Sequence, residues 1–100
     1  MNAKFALDQL ESIIIGFKNK ENDERLKYFG TLNFITDKLL KLSENLSFKK
    51  NVVGENIVKL LWSIEALCGL DDGNGKSDSE HISLALGTIY TLKVHIDWDN

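Results

Sequence analysis

Apolar residues recur along this chain at spacings of three and four, the period of a helix that buries one face. The first such stretch runs from about Ala3 to Lys18, with Leu7, Leu10, Ile14 and Phe17 on one side. Asn19 to Asn22 then breaks the pattern, and Asp23 is placed to cap a second helix. That second stretch is the strongest: Tyr28, Leu32, Ile35, Leu39, Leu42 and Leu46 alternate spacings of four and three. Read as one helix from Asp23 to Leu46, it would be roughly 36 Å long at about 1.5 Å per residue. Gly30 is its weak point. After a break at Ser47 to Asn51, a third stretch carries Val53, Ile57, Leu60, Ile64 and Leu67 and stops at Gly69. A loop, Leu70 to Lys76, leads into Ser77 and Glu80, which have the spacing of a capping box. The fourth stretch follows with Ile82, Ala85, Ile89, Leu92 and Ile96.

These stretches predict an all-α fold, an antiparallel four-helix bundle formed as a single helical domain over residues 1–100. The end of the chain admits a second reading. Leu92, Val94, Ile96 and Trp98 alternate with polar residues, as in a short C-terminal strand. A lone strand has no partner in a helical chain, so a helix to about His95 is the expectation. The third stretch also departs from simple amphipathicity. Val58, Leu61, Trp62 and Cys68 lie off its seam, so this helix is either central or displays a sticky outer face.

Composition narrows the class. With 43% apolar and 27% charged residues, the chain matches ordinary globular proteins and neither disordered nor membrane-spanning ones. It has no proline, so nothing interrupts long helices. Its one cysteine, Cys68, cannot form an internal disulfide, and no basic start with an apolar run marks a secretory signal. A reducing, cytoplasmic setting is therefore expected.

Charge is uneven. Residues 1–64 hold ten Lys/Arg and eight Asp/Glu, a net of +2, whereas residues 65–100 hold two lysines and seven acids, a net of −5. An acidic last third points to a basic protein partner and away from nucleic acid. Lys38, Lys41, Lys49 and Lys50 form the only basic grouping, but Asp37 and Glu44 are interspersed and aromatic interleaving is lacking. A solvated face accounts for it better than a nucleic-acid site.

The motifs that carry chemistry fail on spacing. Gly69 to Ser77 ends like a phosphate loop in Gly75, Lys76 and Ser77, but five residues separate Gly69 from Gly75 where four are needed. A calcium loop framed on Asp72 puts Ser77 where glycine is required and Ser83 where the bidentate glutamate belongs. Cys68, His81 and His95 are the whole supply of soft ligands and imidazoles. Asp78 and His81, one turn apart, read as surface neighbours, and Cys68 as a packed thiol. No catalytic residue, metal site, cofactor or small-molecule substrate is expected.

What remains is acidity beside aromatic residues. Asp71, Asp72, Asp78 and Glu80 cluster about one loop, and Asp97, Trp98 and Asp99 close the chain. In size and charge the chain resembles the broad class of immunity proteins, antitoxins and phage-encoded inhibitors, without a motif of any one family. That likeness implies a small acidic inhibitor masking a basic toxin, nuclease or nucleoprotein complex. Two alternatives stand beside it. One is a self-associating adaptor dimerising through Val58, Leu61 and Trp62; the other is a DNA-binding regulator using the four lysines.

Overall fold

The computed structural model describes residues 2–46 and 50–98. It contains five α-helices: α1 (Ala3–Gly16), α2 (Asn22–Leu26), α3 (Phe29–Ser43), α4 (Lys50–Leu67) and α5 (Asp78–Val94). Short 3-10 turns follow α1 at Phe17–Asn19 and precede α5 at Gly73–Gly75. No strand is present among the described residues.

Three helix ends have an identifiable chemical cause. Asn2 begins α1 by accepting the Phe5 amide at 2.8 Å. At the end of α4, Gly69 adopts a left-handed φ of 80°, and the Gly69 and Leu70 amides donate back to the Ala66 and Glu65 carbonyls. This paired closure satisfies carbonyls that the helix leaves orphaned. The capping box at Ser77 and Glu80 forms as the spacing predicts and starts α5.

α4 packs along α5 and α3, and α1 packs along α5 and α3. Lys93, late in α5, meets Asp8 and Glu11 in α1, and Lys18, just after α1, lies beside Asp78 and Ser79 at the start of α5, so these two helices run antiparallel. The enclosed core includes Leu7, Leu10, Ile14 and Phe17 from α1 and its 3-10 turn, with Leu32, Ile35 and Leu39 from α3. Val53, Ile57, Leu60, Ile64 and Leu67 of α4 and Ile82, Ala85, Ile89 and Leu92 of α5 complete it. These are the residues that the three-and-four spacing places inside.

The second stretch is where expectation and structure part. It is two helices, broken at Lys27 and Tyr28, and Asp23 is not its cap. Glu21 occupies the cap position of α2 without a side-chain bond, while Asp23 accepts only the neighbouring Glu24 amide. The break follows directly on Arg25, whose side chain turns inward and bonds Phe17, Leu67 and Asp78. Tyr28, assigned by spacing to the seam, is left exposed and contacts Phe17 edge-on at 6.2 Å.

At the C-terminus the strand pattern is not realised. α5 ends at Val94, Ile96 folds back into the core, and the Trp98 indole donates to the Leu92 carbonyl at 2.9 Å. The alternation of apolar residues there reflects a chain reversing over a helix end. Gly87, by contrast, sits mid-helix, where an added Cβ meets no atom within 4 Å. Gly87→Ala is therefore expected to raise stability by about 0.5–1 kcal/mol through helix propensity alone. Denaturant unfolding of the two proteins measures this.

Candidate protein-interaction surface

The residue that organises one end of the molecule is Arg25, the chain's only arginine, buried at 3% exposure. Its Nε and Nη2 donate to the Phe17 carbonyl at 3.1 and 2.6 Å, and Nη1 donates to the Leu67 carbonyl at 3.1 Å. The same fork grips Asp78 with two further bonds, of 2.9 and 2.6 Å. One guanidinium thus joins the end of α1, the end of α4 and the start of α5. Helix C-termini carry partial negative charge, so a cation is well placed against these two carbonyls. The Arg25 guanidinium also holds the Asp78 carboxyl below the usual aspartate value.

Around this clamp lie two further locks. The Arg25 carbonyl accepts the Cys68 thiol at 3.6 Å, and burial pushes that thiol's pKa up, leaving it a packed, unreactive group. Beyond it, buried His81 holds the loop. Its Nε2 contacts the Gly73 carbonyl at 3.0 Å and its Nδ1 contacts the Ser63 hydroxyl at 3.4 Å. A carbonyl only accepts, so Nε2 carries the hydrogen. Trp62 packs edge-on against the imidazole at 4.9 Å, and its indole donates to Asp71 at 3.2 Å. Gly73 has a φ of 67°, and a Cβ there would come within 2.4 Å of His81 Nε2, so glycine is required.

The predicted acidic residues can now be placed. Asp71 also accepts the Gly73 amide at 2.7 Å, and Asp72 accepts the Asn74 amide at 2.9 Å. Glu80 serves the capping box and lies 3.9 Å from Lys76. Asp71, Asp72, Asp78 and Glu80 thus share one end of the molecule, but the charge of Asp78 is met by Arg25. Asp78 and His81 are not the surface neighbours that their spacing suggests. His81 is buried against α4, and Asp78 is tied to α2. Asp97 and Trp98 lie at the opposite end of α5, about 25 Å away for 17 residues at roughly 1.5 Å each. Trp98 is partly buried against the core, and Asp99 lies outside the described residues.

The second predicted set, Val58, Leu61 and Trp62, lies on α4, and its members have different surroundings. Trp62 belongs to the loop lock, Leu61 packs against the core, and Val58 stands outward. Of the lysines, Lys41 pairs with Asp37 at 3.2 Å and Lys38 rides 5.2 Å above the Phe34 ring. Lys49 lies outside the described residues, and Lys50 opens α4.

Arg25 and His81 are the residues that spacing alone misses. The one signal for Arg25 is its rarity: a single arginine among eleven lysines suggests a position that needs a planar fork. His81 carries none, because nothing local marks its loop partner.

Among the described residues, no group of three or more His, Cys, Asp or Glu side chains converges, and no helix is long and apolar enough to cross a membrane. Comparison with protein-family models, curated proteins and solved structures finds no match.

Two predictions follow from the clamp. Arg25→Met would leave the Phe17 and Leu67 carbonyls without their donor, at a cost of about 2–4 kcal/mol. In a domain of this size that lowers the melting temperature on the order of 10 °C or more, measurable by thermal denaturation. The second concerns pH. Asp78 has a folded-state pKa below its unfolded one, so its stabilisation is complete above the unfolded value of about 3.9 and is lost as pH falls through the lowered folded value. The stability difference between the wild type and Asp78→Asn should be constant near neutrality and shrink only in acid. Denaturant titrations across that range test it.

Proposed function

We propose that this chain is a small acidic protein-binding module that inhibits a basic toxin or nucleic-acid-processing protein by covering its cationic surface. The observation that carries the reading is the set of bonds that fastens the Asp71–Glu80 end to the core. Asp71 is held by Trp62 and the Gly73 amide, the Gly73 carbonyl by His81, and Asp78 by Arg25. Exposed carboxylates on a loop fastened to the core lose little freedom on binding, which favours affinity. Complementary charge then adds rapid association and choice of partner.

In this reading α1, α3, α4 and α5 form an antiparallel four-helix bundle, and the protein works in a reducing cytoplasm, where its lone buried thiol stays reduced. It acts by binding and carries out no chemistry of its own. Of the predicted acids, Asp71, Asp72 and Glu80 face the partner, while Asp78 positions the surface from beneath. Asp97 and Trp98 contribute only to a partner large enough to span both ends of α5.

The test is capture of the partner from the native host, followed by kinetics with the purified pair. The combined variant Asp71→Asn, Asp72→Asn, Glu80→Gln keeps an amide oxygen at every acceptor position, so the loop should hold its shape. It is expected to associate on the order of tenfold more slowly than the wild type and to lose most of its dependence on salt. Unchanged association would remove the acidic end as the contact surface.

A further inference from the structure

Nine asparagines occur in the chain, and Asn74 alone is followed by glycine. That neighbour matters chemically. The amide nitrogen of the next residue can attack an asparagine side chain, and a Cβ on that residue obstructs the approach. Asn74 and Gly75 lie at the tip of the α4–α5 connection, both exposed and both in the left-handed region, with φ of 57° and 77°. The space about Gly75 is open, since an added Cβ there meets nothing within 4 Å.

The rest of this connection is held by bonds, and the contrast singles out one peptide unit. Gly73 is buried, its amide donates to Asp71 at 2.7 Å, and its carbonyl meets His81 at 3.0 Å. The Gly75 amide reaches the Asp72 carbonyl only at 3.5 Å, the far limit of a hydrogen bond. With ψ at 33°, Asn74 holds the Gly75 nitrogen away from its own side chain. A half-turn of the peptide between them brings that nitrogen to the side chain, changing ψ of Asn74 and φ of Gly75 in opposite senses. Glycine accepts either sign of φ, so the flip costs little beyond that one long contact.

We propose that Asn74–Gly75 is a self-modifying site at which asparagine converts to aspartate and isoaspartate. The Gly75 nitrogen gives up its proton and bonds to Asn74 Cγ, while the bond from Cγ to the side-chain nitrogen breaks and ammonia leaves with that proton. The product is a succinimide ring, which water then opens at either carbonyl. Breaking the new bond to Cγ gives aspartate. Breaking the bond to the main-chain carbonyl gives isoaspartate, whose backbone runs through the side chain and is longer by one methylene. Either product puts a carboxylate in place of a neutral amide between Asp72 and Glu80, so the acidic end gains negative charge as the molecule ages. The isoaspartate extension falls between two fastened points, the Gly73 carbonyl at His81 and the Ser77 cap of α5.

The test is incubation of the purified full chain in mildly alkaline buffer made with heavy-oxygen water, followed by peptide mapping with mass spectrometry. Conversion is expected at Asn74 ahead of every other asparagine, with heavy oxygen incorporated and both acids formed. A protease that cuts before aspartate but not before isoaspartate separates the two. Asp72, beside the bonded Gly73, should remain aspartate. Gly75→Asn retains a residue that tolerates the left-handed region but adds a Cβ, and should slow conversion of Asn74 at least about tenfold, as displacing a reacting atom does. Circular dichroism checks that this variant keeps its helices. Conversion in urea but not in the folded protein would overturn the proposal, because the native turn would then forbid the flip. Aspartate formed without isoaspartate, or a rate indifferent to Gly75→Asn, would overturn it too, by assigning the change to direct attack of water. None of these outcomes depends on whether the acidic end meets a partner.

Discussion

A guanidinium withdrawn from water is the constraint on which this structure turns. Desolvating a cation costs several kcal/mol unless every donor finds a partner. Arg25 meets that condition with two helix-terminal carbonyls and a carboxylate, drawn from segments as far apart in sequence as Phe17, Leu67 and Asp78. A lysine could not replace it, because one ammonium lacks the planar fork that reaches three groups at once. The arrangement dictates local structure in turn. α2, which carries Arg25, is separated from α3 by a break at Lys27 and Tyr28.

From the clamp the order spreads to the α4–α5 connection. Glycines at positions 69 and 73 allow left-handed turns, the first closing α4 and the second bringing a carbonyl against His81. Trp62 and Asp71 close the far side. A loop rich in glycine and aspartate, a composition associated with freely moving connections, is here bonded to the core at several points. The result is a surface whose carboxylates are exposed but whose backbone is fixed.

The two surfaces draw on different physics. At the clamp end, shape is set by buried polar bonds, and the exposed side chains there are mostly carboxylates. On the α3–α4 side, Val58 and Phe34 are exposed, and Leu40 and Leu61 line a groove together with Asn33, Thr36 and Asp37.

The sequence by itself determined the helical class, the core and the start of α5. Leu7, Leu10, Leu32, Ile35, Ile57, Leu60, Ile89 and Leu92 are buried as their spacing requires, because helix periodicity is local, and the Ser77 to Glu80 capping box acts within one turn. Of the candidate site, the clustering of Asp71, Asp72, Asp78 and Glu80 was legible for the same reason, since they are neighbours in the chain. Only the tertiary structure decided the roles of Arg25 and His81, the division of α2 from α3, and the bonding of Trp62 to the loop at Asp71. Each depends on a partner many residues distant, such as Asp78 for Arg25 or Gly73 and Ser63 for His81. A periodic pattern records which side of a helix is buried, but not which distant polar group will be waiting there.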